Sequence, residues 1–453
     1  MRSSSDITCG STRARTYKHA STNHMRRHLT VNLGNLVLSL SEAMDLASPI
    51  LIQHQHRVAF VTWMMGKAAK LPEERLEKNC IAALLHDIGA LSLEEKISLQ
   101  TFEIQNVEEH TIRGELLLET IPWLRDSGGI IRFHHTEWQT WGESIENGIV
   151  FESQLLFLAD YLERIIDRHH FILHQKDDII SRIRSMSGAS IHPRVVDLFL
   201  SVAHREEFWL DLVSPRLYSL LLNEGPFGKI EISFSDISII AELFRNIIDF
   251  RSRFTSTHSS GVAASASMLA KIFGLTDAEV ELMEVAGNLH DIGKLAIPRS
   301  ILDKPGTLSK KEMSIMKSHP YYTYFVINSI GGLKLIAEWA AYHHERLDGS
   351  GYPFHCTATE LSTGARVLMV ADIFTAMAED RPYRRGMEKD QIVRIFKQFS
   401  EGGLLDSRIV SLLLENYNEV FSYVTEKQAV TRDFYEKQFS HIPGSSEYRN
   451  PAQ

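Results

Sequence analysis

Apolar residues recur at helical spacing along most of the chain. The stretches "IAALLHDIG" (81–89), "LLFLADYLERIID" (155–167), "LMEVAGNLHDIG" (282–293) and "ARVLMVADIFTAMAED" (365–380) each predict a buried or half-buried helix. Strict polar–apolar alternation is scarce. "KIEISF" at 229–234 is the best strand candidate and reads equally as an extended linker. The pattern predicts an all-α protein.

A repeat underlies the pattern. "LLHDIGA" at 84–90 resembles "NLHDIGK" at 288–294. His54 precedes His86 by 32 residues, and His258 precedes His290 by 32. His110 precedes the pair His134-His135 by 24 residues, and His319 precedes His343-His344 by 24. Each half then places an Ala-Asp pair on an apolar helix, ending at Asp160 and Asp372. One gap differs: 24 residues from His86 to His110 against 29 from His290 to His319. A loop insertion accounts for it, and "SILDKPGTLSKKE" (300–312), with its Pro-Gly turn, is such a loop. The chain therefore divides into two copies of one helical domain, 31–225 and 230–430. A tail without secondary structure is expected over 1–30, with Met25 an alternative start, and another over 431–453.

Composition narrows the function classes. The formal net charge of -9 argues against holding a long nucleic acid by its backbone, though a small phosphorylated ligand remains open. Cys9, Cys80 and Cys356 are scattered, which argues against a disulfide framework or a thiolate zinc site and for a reducing, cytoplasmic setting. No apolar run reaches the ~18 residues of a membrane span. The Ser-, Thr-, Arg- and His-rich leader has no apolar core, so it is not a secretory signal; an organelle transit peptide is its alternative reading.

A single histidine on an apolar helix is usually a packed core residue, and His56, His192 and His355 are read that way. The repeated set is different. Five histidines and two aspartates per half lie beside apolar runs that should bury them, and buried polar groups need partners. A metal centre is the economical partner. Imidazole and carboxylate without thiolate suit iron or manganese, with nickel, cobalt or catalytic zinc as alternatives. A carboxylate can bridge two metals where an imidazole binds one, which makes Asp291 the natural bridge beside His290. Two such metals activate water and clamp a phosphoryl group. Lys294 follows Asp291 by three residues. If the helix continues through Gly293, its ammonium shares a face with Asp291 and suits a phosphate oxygen. On spacing alone, a solvated lysine at a helix C-terminus fits equally.

"HDIGK" (290–294), "HP" at 319, "HHERLDGSGYP" (343–353) and "ADIFTAMAEDRPYRR" (371–385) resemble the HD-GYP subgroup of the HD phosphohydrolase superfamily. "IIDFRSRFTSTHSSGVA" (247–263) resembles that family's entry into its first ligand helix. The resemblance covers about 240–430. It implies an HD-GYP helical bundle with a metal centre that hydrolyses cyclic di-GMP or 3',3'-cyclic GMP-AMP to a linear dinucleotide and, in some members, mononucleotides. It implies His258, His290, Asp291, His319, His343, His344 and Asp372 as metal ligands, and Lys294 on the scissile phosphate. Gly351 and Tyr352 would lie in the signature loop near substrate, where glycines permit turns, and Arg381 and Arg384 would hold the nucleotide.

Three departures stand out. Members with a third metal carry Glu where this chain has Phe254, so two divalent ions are expected. Many members read Asp at Thr375. The usual Gly at Thr323 is a packing change. The first half keeps His54, His86, Asp87, His110, His134, His135 and Asp160. However, Ala90 replaces the lysine, "HHTEWQTWG" the GYP loop, and "YLERIIDRHH" follows Asp160 without RPYR. This half resembles the wider HD superfamily and is expected to serve a structural or regulatory role. It would pack on the catalytic half or on another subunit, in a monomer or a homodimer.

Overall fold

The computed structural model describes residues 30–46, 51–90, 93–102, 107–227, 230–251, 257–380 and 385–439. Within them the fold is helical throughout, with one two-stranded antiparallel ladder. β1 (Val31–Asn32) pairs with β2 (Glu231–Ile232), Val31 opposite Ile232. The strand expected at 229–234 is thus realised as two residues, and its partner is the entry to the first half. Residue 229 lies outside the described residues.

Six helices recur in the same order in both halves, with further short helices between the third and fourth of each. The first runs α1 (Leu33–Asp45), α2 (His54–Ala68), α3 (Glu73–Leu85), α4 (Glu108–Glu119), α5 (Arg125–Arg132) and α6 (Gly148–Arg164). The second runs α7 (Phe234–Arg251), α8 (His258–Phe273), α9 (Asp277–Leu289), α10 (His319–Ser329), α11 (Lys334–Ala341) and α12 (Thr363–Ala378). Further helices complete each half, and the last, α13 (Tyr417–Phe439), packs along α8. A tail was expected from 431, yet α13 continues to Phe439: Val420, Val424, Gln428 and Thr431 recur on its buried side and carry the helix through that boundary. Residues 440–453 and 1–29 lie outside the described residues.

Local sequence explains these elements. Thr276 and Glu279 form a capping box at the start of α9, and Ser309 and Glu312 another in the inserted segment. Gly274, with φ of 95°, ends α8 in the left-handed conformation that glycine tolerates. Val367, Leu368, Met369, Val370, Ala371 and Phe374 are all buried, as are Asp372 and Thr375, so α12 is covered on nearly all sides and runs through the centre of its domain. Small residues on α8 let α9 approach closely; a Cβ on Gly287 would sit 2.5 Å from the Cα of Ala263.

One repeat position carries no ligand. Asp45 accepts from the backbone N–H of Gln55 at 3.2 Å, and Asp249 from that of Ser259 at 3.3 Å. Each buried carboxylate holds the N-terminus of the helix that opens with the first histidine of the repeated set, His54 or His258. The contacts between the halves include the β1–β2 ladder, α1 against α10, and a hydrogen bond of 3.0 Å from Ser329 Oγ to Ser39 Oγ.

Candidate functional site

The second half gathers its seven predicted ligands in one place. α9 ends at Leu289, so His290 and Asp291 sit in the turn that follows, and residues 292–296 form a 3-10 segment. The helix does not continue through Gly293. The turn itself brings Lys294 back, and its Nζ donates to Asp291 Oδ2 at 2.5 Å. His258 opens α8, His319 opens α10, His343 and His344 follow α11, and Asp372 lies within α12. Six of the seven are buried; the side chain of His344 is 30% exposed and marks the open side.

The two oxygens of Asp291 face different groups. Oδ2 lies 3.2 Å from His290 Nε2, and Oδ1 lies 3.4 Å from His319 Nε2 and 3.8 Å from His343 Nε2. Asp372 Oδ1 lies 3.2 Å from His258 Nε2, while Oδ2 is 3.9 Å from His344 Nδ1. Three imidazoles are fixed from behind by the carbonyl three residues earlier. His290 Nδ1 bonds Gly287 O at 2.8 Å, His319 Nδ1 bonds Met316 O at 2.7 Å, and His343 Nδ1 bonds Ala340 O at 2.6 Å. With Nδ1–H donating outward, each Nε2 presents a lone pair inward. His319 Nε2 and His343 Nε2 then face each other at 3.2 Å, two acceptors that require a cation between or beside them.

The charge balance of the cluster also suits a cation. Burial pushes His319 down to about 3 and His343 to about 4, so both imidazoles are neutral at pH 7. Burial works against a charge on Asp291, but His290 and Lys294 beside it outweigh burial and hold the carboxyl well below its usual range. His258 is different: burial lowers it, but Glu379 and Asp372 outweigh burial and raise it to about 10, so a metal there would displace its proton. Imidazoles and ionised carboxylates without thiolate still make a donor set that fits divalent metals. Mn²⁺ or Fe²⁺ at about a hundred times its dissociation constant is expected to stabilise the fold by about 2.7 kcal/mol per site. Thermal melts with metal and with excess chelator measure this, and coincident melts would contradict metal binding.

The signature loop is organised by two acids, of which Glu345 had no role in the sequence reading. Glu345 is fully buried and accepts from the N–H groups of Phe354 (2.8 Å) and Cys356 (3.0 Å). Asp348 accepts from Ser350 N at 2.9 Å. Gly349 has φ of 79°, as a turn glycine should. Gly351 is required for a different reason: a Cβ there would lie 2.4 Å from Glu345 Cα, so backbone packs on backbone. The Tyr352 ring lies against His344 with centroids 4.8 Å apart, and Lys317 Nζ is 5.0 Å from its centre. Arg346 Nη1 is buried and has no hydrogen-bond partner among the described residues. Arg381, Arg384 and Phe254 lie outside the described residues.

Thr323 does more than fill space. Its hydroxyl donates to His290 O at 2.9 Å and accepts from Gly293 N at 3.1 Å, tying the His-Asp turn to α10. Sequence reasoning also missed Glu379, whose Oε1 lies 3.1 Å from His258 Nδ1, and Glu163, whose Oε2 lies 2.5 Å from His54 Nδ1.

The first half reproduces much of this cluster. His86 Nδ1 bonds Ala83 O at 2.8 Å, His134 Nδ1 bonds Ile131 O at 2.7 Å, and His54 Nε2 lies 3.2 Å from His86 Nε2. His54, His86 and Asp87 converge, as do His110, His134 and His135. The surroundings differ. Arg164 Nη1 donates to Asp160 Oδ2 at 3.1 Å and its guanidinium lies 3.7 Å above the Phe102 ring. Trp138 and Gln139 bond to Ser190 and Ala189 where the second half has its GYP loop.

Two segments, residues 242–409 and 51–165, match family models described as HD domain. The chain is 28% identical to "3'3'-cGAMP-specific phosphodiesterase 1" of Vibrio cholerae over 86% of its length and 93% of that protein's. It is 37% identical to the "cyclic di-GMP phosphodiesterase response regulator RpfG" of Xanthomonas campestris over 37% of this chain and 44% of that one. Among solved structures, a cyclic GMP-AMP specific phosphodiesterase of V. cholerae (V-cGAP3) superposes with a TM-score of 0.62 at 22% identity, covering 86% of this chain and 98% of that chain. No helix among the described residues is long and apolar enough to cross a membrane.

Proposed function

We propose that this chain, which belongs to the HD superfamily and carries two HD domains in tandem with the second of the HD-GYP type, is a metal-dependent phosphodiesterase of cyclic dinucleotides. The observation that carries the reading is the inward-facing set of Nε2 atoms and split Asp291 oxygens in the second half, beside Lys294 and the GYP loop. The catalytic domain is taken as 230 to about 439 and the first as 31–225.

His258, His290, Asp291 and Asp372 would hold one divalent ion, and Asp291, His319, His343 and His344 the other. Iron or manganese are preferred on donor type. When bound, such ions supply Lewis-acid stabilisation of phosphoryl oxygens and lower the pKa of water. The chain's own groups do the rest. Lys294 positions Asp291 through Oδ2 and offers its ammonium to a non-bridging oxygen, offsetting the charge that grows in an in-line displacement. Arg346 Nη1 is a second donor toward that oxygen. Tyr352 keeps its proton, because burial, with Asp372 and Asp291 nearby, raises its pKa, so it can stack or donate. Arg381 and Arg384 would grip the nucleotide. Opening one ester gives a linear dinucleotide, and a second cut would give mononucleotides.

The relative that aligns across both halves acts on 3'3'-cGAMP, whereas the cyclic di-GMP relative aligns over 37% of this chain. We therefore favour 3',3'-cyclic GMP-AMP as the better substrate. The first domain, with Ala90 in place of the lysine and Arg164 on Asp160, is assigned a regulatory or structural role, packed on the catalytic domain through α1. A cytoplasmic setting is inferred from the free cysteines Cys80 and Cys356. Chromatographic turnover by Mn- or Fe-loaded protein tests this reading, with cleavage of cyclic GMP-AMP expected to exceed that of cyclic di-GMP. Metal-loaded protein that binds but cleaves neither would make it an effector instead. Lys294→Ala is expected to slow turnover about 10²-fold, and wild-type rates in that variant would remove the lysine from the mechanism.

A further inference from the structure

We propose that Glu379 is the positioning residue that orients His258 toward its metal, and that the second half carries this carboxylate one helical turn beyond the place the first half uses. The inference rests on the metal-dependent reading above.

His54 and His258 differ from the histidines fixed by backbone carbonyls, because a carboxylate stands behind each ring. In the first half it is Glu163, three residues after Asp160 on α6, at 2.5 Å from His54 Nδ1. The position three residues after Asp372 is Thr375. Its hydroxyl donates to Ala371 O at 2.9 Å and lies 3.1 Å from Ser265 Oγ, so it serves the helix and α8 instead. Glu379 follows Thr375 by four residues at the end of α12, and its Oε1 reaches 3.1 Å from His258 Nδ1. Both carboxylates are buried, Glu163 at 1% and Glu379 at 8% exposure.

The supports have changed with the acid. Arg57, three residues after His54, donates to Glu163 Oε1 at 2.8 Å, and Arg168 and Gln100 add donors at 2.6 and 2.8 Å. The residue three after His258 is Gly261. A Cβ there would meet Gln428 Nε2 at 2.7 Å and Thr375 Cγ2 at 2.8 Å. The space that Arg57 fills in one half is therefore taken in the other by Thr375 and by Gln428 from α13. Gln428 Nε2 bonds Thr257 O at 3.2 Å and reaches Glu379 Oε2 at 3.4 Å. Glu163 hydrogen-bonds His54 Nδ1, while Glu379 faces His258 Nδ1 as an ion pair at 3.1 Å without hydrogen-bond alignment; two buried carboxylates from different helix positions thus stand behind equivalent nitrogens. A carboxylate behind an imidazole fixes its tautomer, strengthens Nε2 as a donor, and typically contributes 10- to 100-fold in metal affinity.

The test is chelator competition with Mn²⁺ on the full chain, with the visible absorption of bound Co²⁺ as a second readout. Glu379→Gln keeps the shape and removes the charge. It is expected to weaken binding at one metal about 10- to 100-fold and to shift the Co²⁺ spectrum, with the metal-free melting curve close to wild type. Gln428→Ala, which leaves every ligand and Glu379 in place, is expected to weaken binding severalfold and covers the case in which Glu379→Gln does not fold. Wild-type affinity and spectrum in the folded variants would overturn the proposal while leaving the metal-dependent reading intact. A wild-type chain that binds neither Mn²⁺ nor Co²⁺ would overturn both.

Discussion

Asp291→Ala is expected to abolish turnover and to release metal in the same step. Asp291 is 1% exposed and stands at the centre of the cluster, with Oδ2 on His290 and Lys294 and Oδ1 on His319 and His343. Among the described residues, no other side chain faces both groups of histidines so closely. Removing it leaves His319 and His343, which burial keeps neutral, with no carboxylate between them and His290, and Asp372 alone to balance divalent charge from the His258 side. It also removes the contact that aims Lys294. Lewis-acid stabilisation is worth several kcal/mol, and about 4 kcal/mol corresponds to about 10³-fold in rate. A fall of at least that size, with metal content per chain reduced by elemental analysis, is the expected outcome. A folded Asp291→Ala protein that retained wild-type turnover would place the chemistry elsewhere.

The convergence of the candidate ligands was legible in the sequence because the two copies share both residue type and spacing. His54 and His258, His86 and His290, Asp160 and Asp372 each occur in matching order, and imidazoles and carboxylates beside apolar runs are costly to bury together unless a cation joins them. The supporting acids were harder to find for opposite reasons. Asp45 and Asp249 stand at equal distances, ten residues, ahead of the Gln55 and Ser259 amides they hold. That signal was available, but an aspartate near a helix end ordinarily reads as solvated. Glu379 was hidden by the repeat itself: aligning the halves sets Thr375 against Glu163, and the carboxylate that faces His258 lies four residues on. Backbone proximity was hidden too. Gly351 reads as a turn residue, yet it is Gly349 that has positive φ, whereas Gly351 yields room to Glu345. Thr323 reads as a packing change because its hydrogen bonds to His290 O and Gly293 N exist only after the turn and α10 meet. Helical periodicity ran past the expected boundary near 430 because buried positions on α13 become polar, Gln428 and Thr431, without leaving the interface.

Gly293→Ala is expected to damage the site as severely as losing a ligand, although Gly293 is not one. A Cβ at this position would lie 1.9 Å from His319 O and 2.7 Å from Thr323 N. The same contact recurs in the first half, where a Cβ on Gly89 would lie 2.0 Å from His110 O. The obstacle is backbone at the opening of α10, which cannot swing aside as a side chain can. The His-Asp turn must therefore separate from α10 by about 1 Å or more to reach ordinary van der Waals distance. That movement breaks the Thr323 bridge and draws His290 and Asp291 away from His319. Overpacking typically costs about 1–3 kcal/mol and occasionally more, and a misplacement of about 1 Å near reacting groups costs about 10²-fold in rate. Gly142→Ala is the matched control, since nothing lies within 4 Å of a Cβ there, and its effect should stay within about 0.5 kcal/mol. Melting temperature, metal content and turnover should fall together in Gly293→Ala and hold in Gly142→Ala. Wild-type metal content in a stable Gly293→Ala protein would mean that the turn and α10 need not touch for the two groups of ligands to converge.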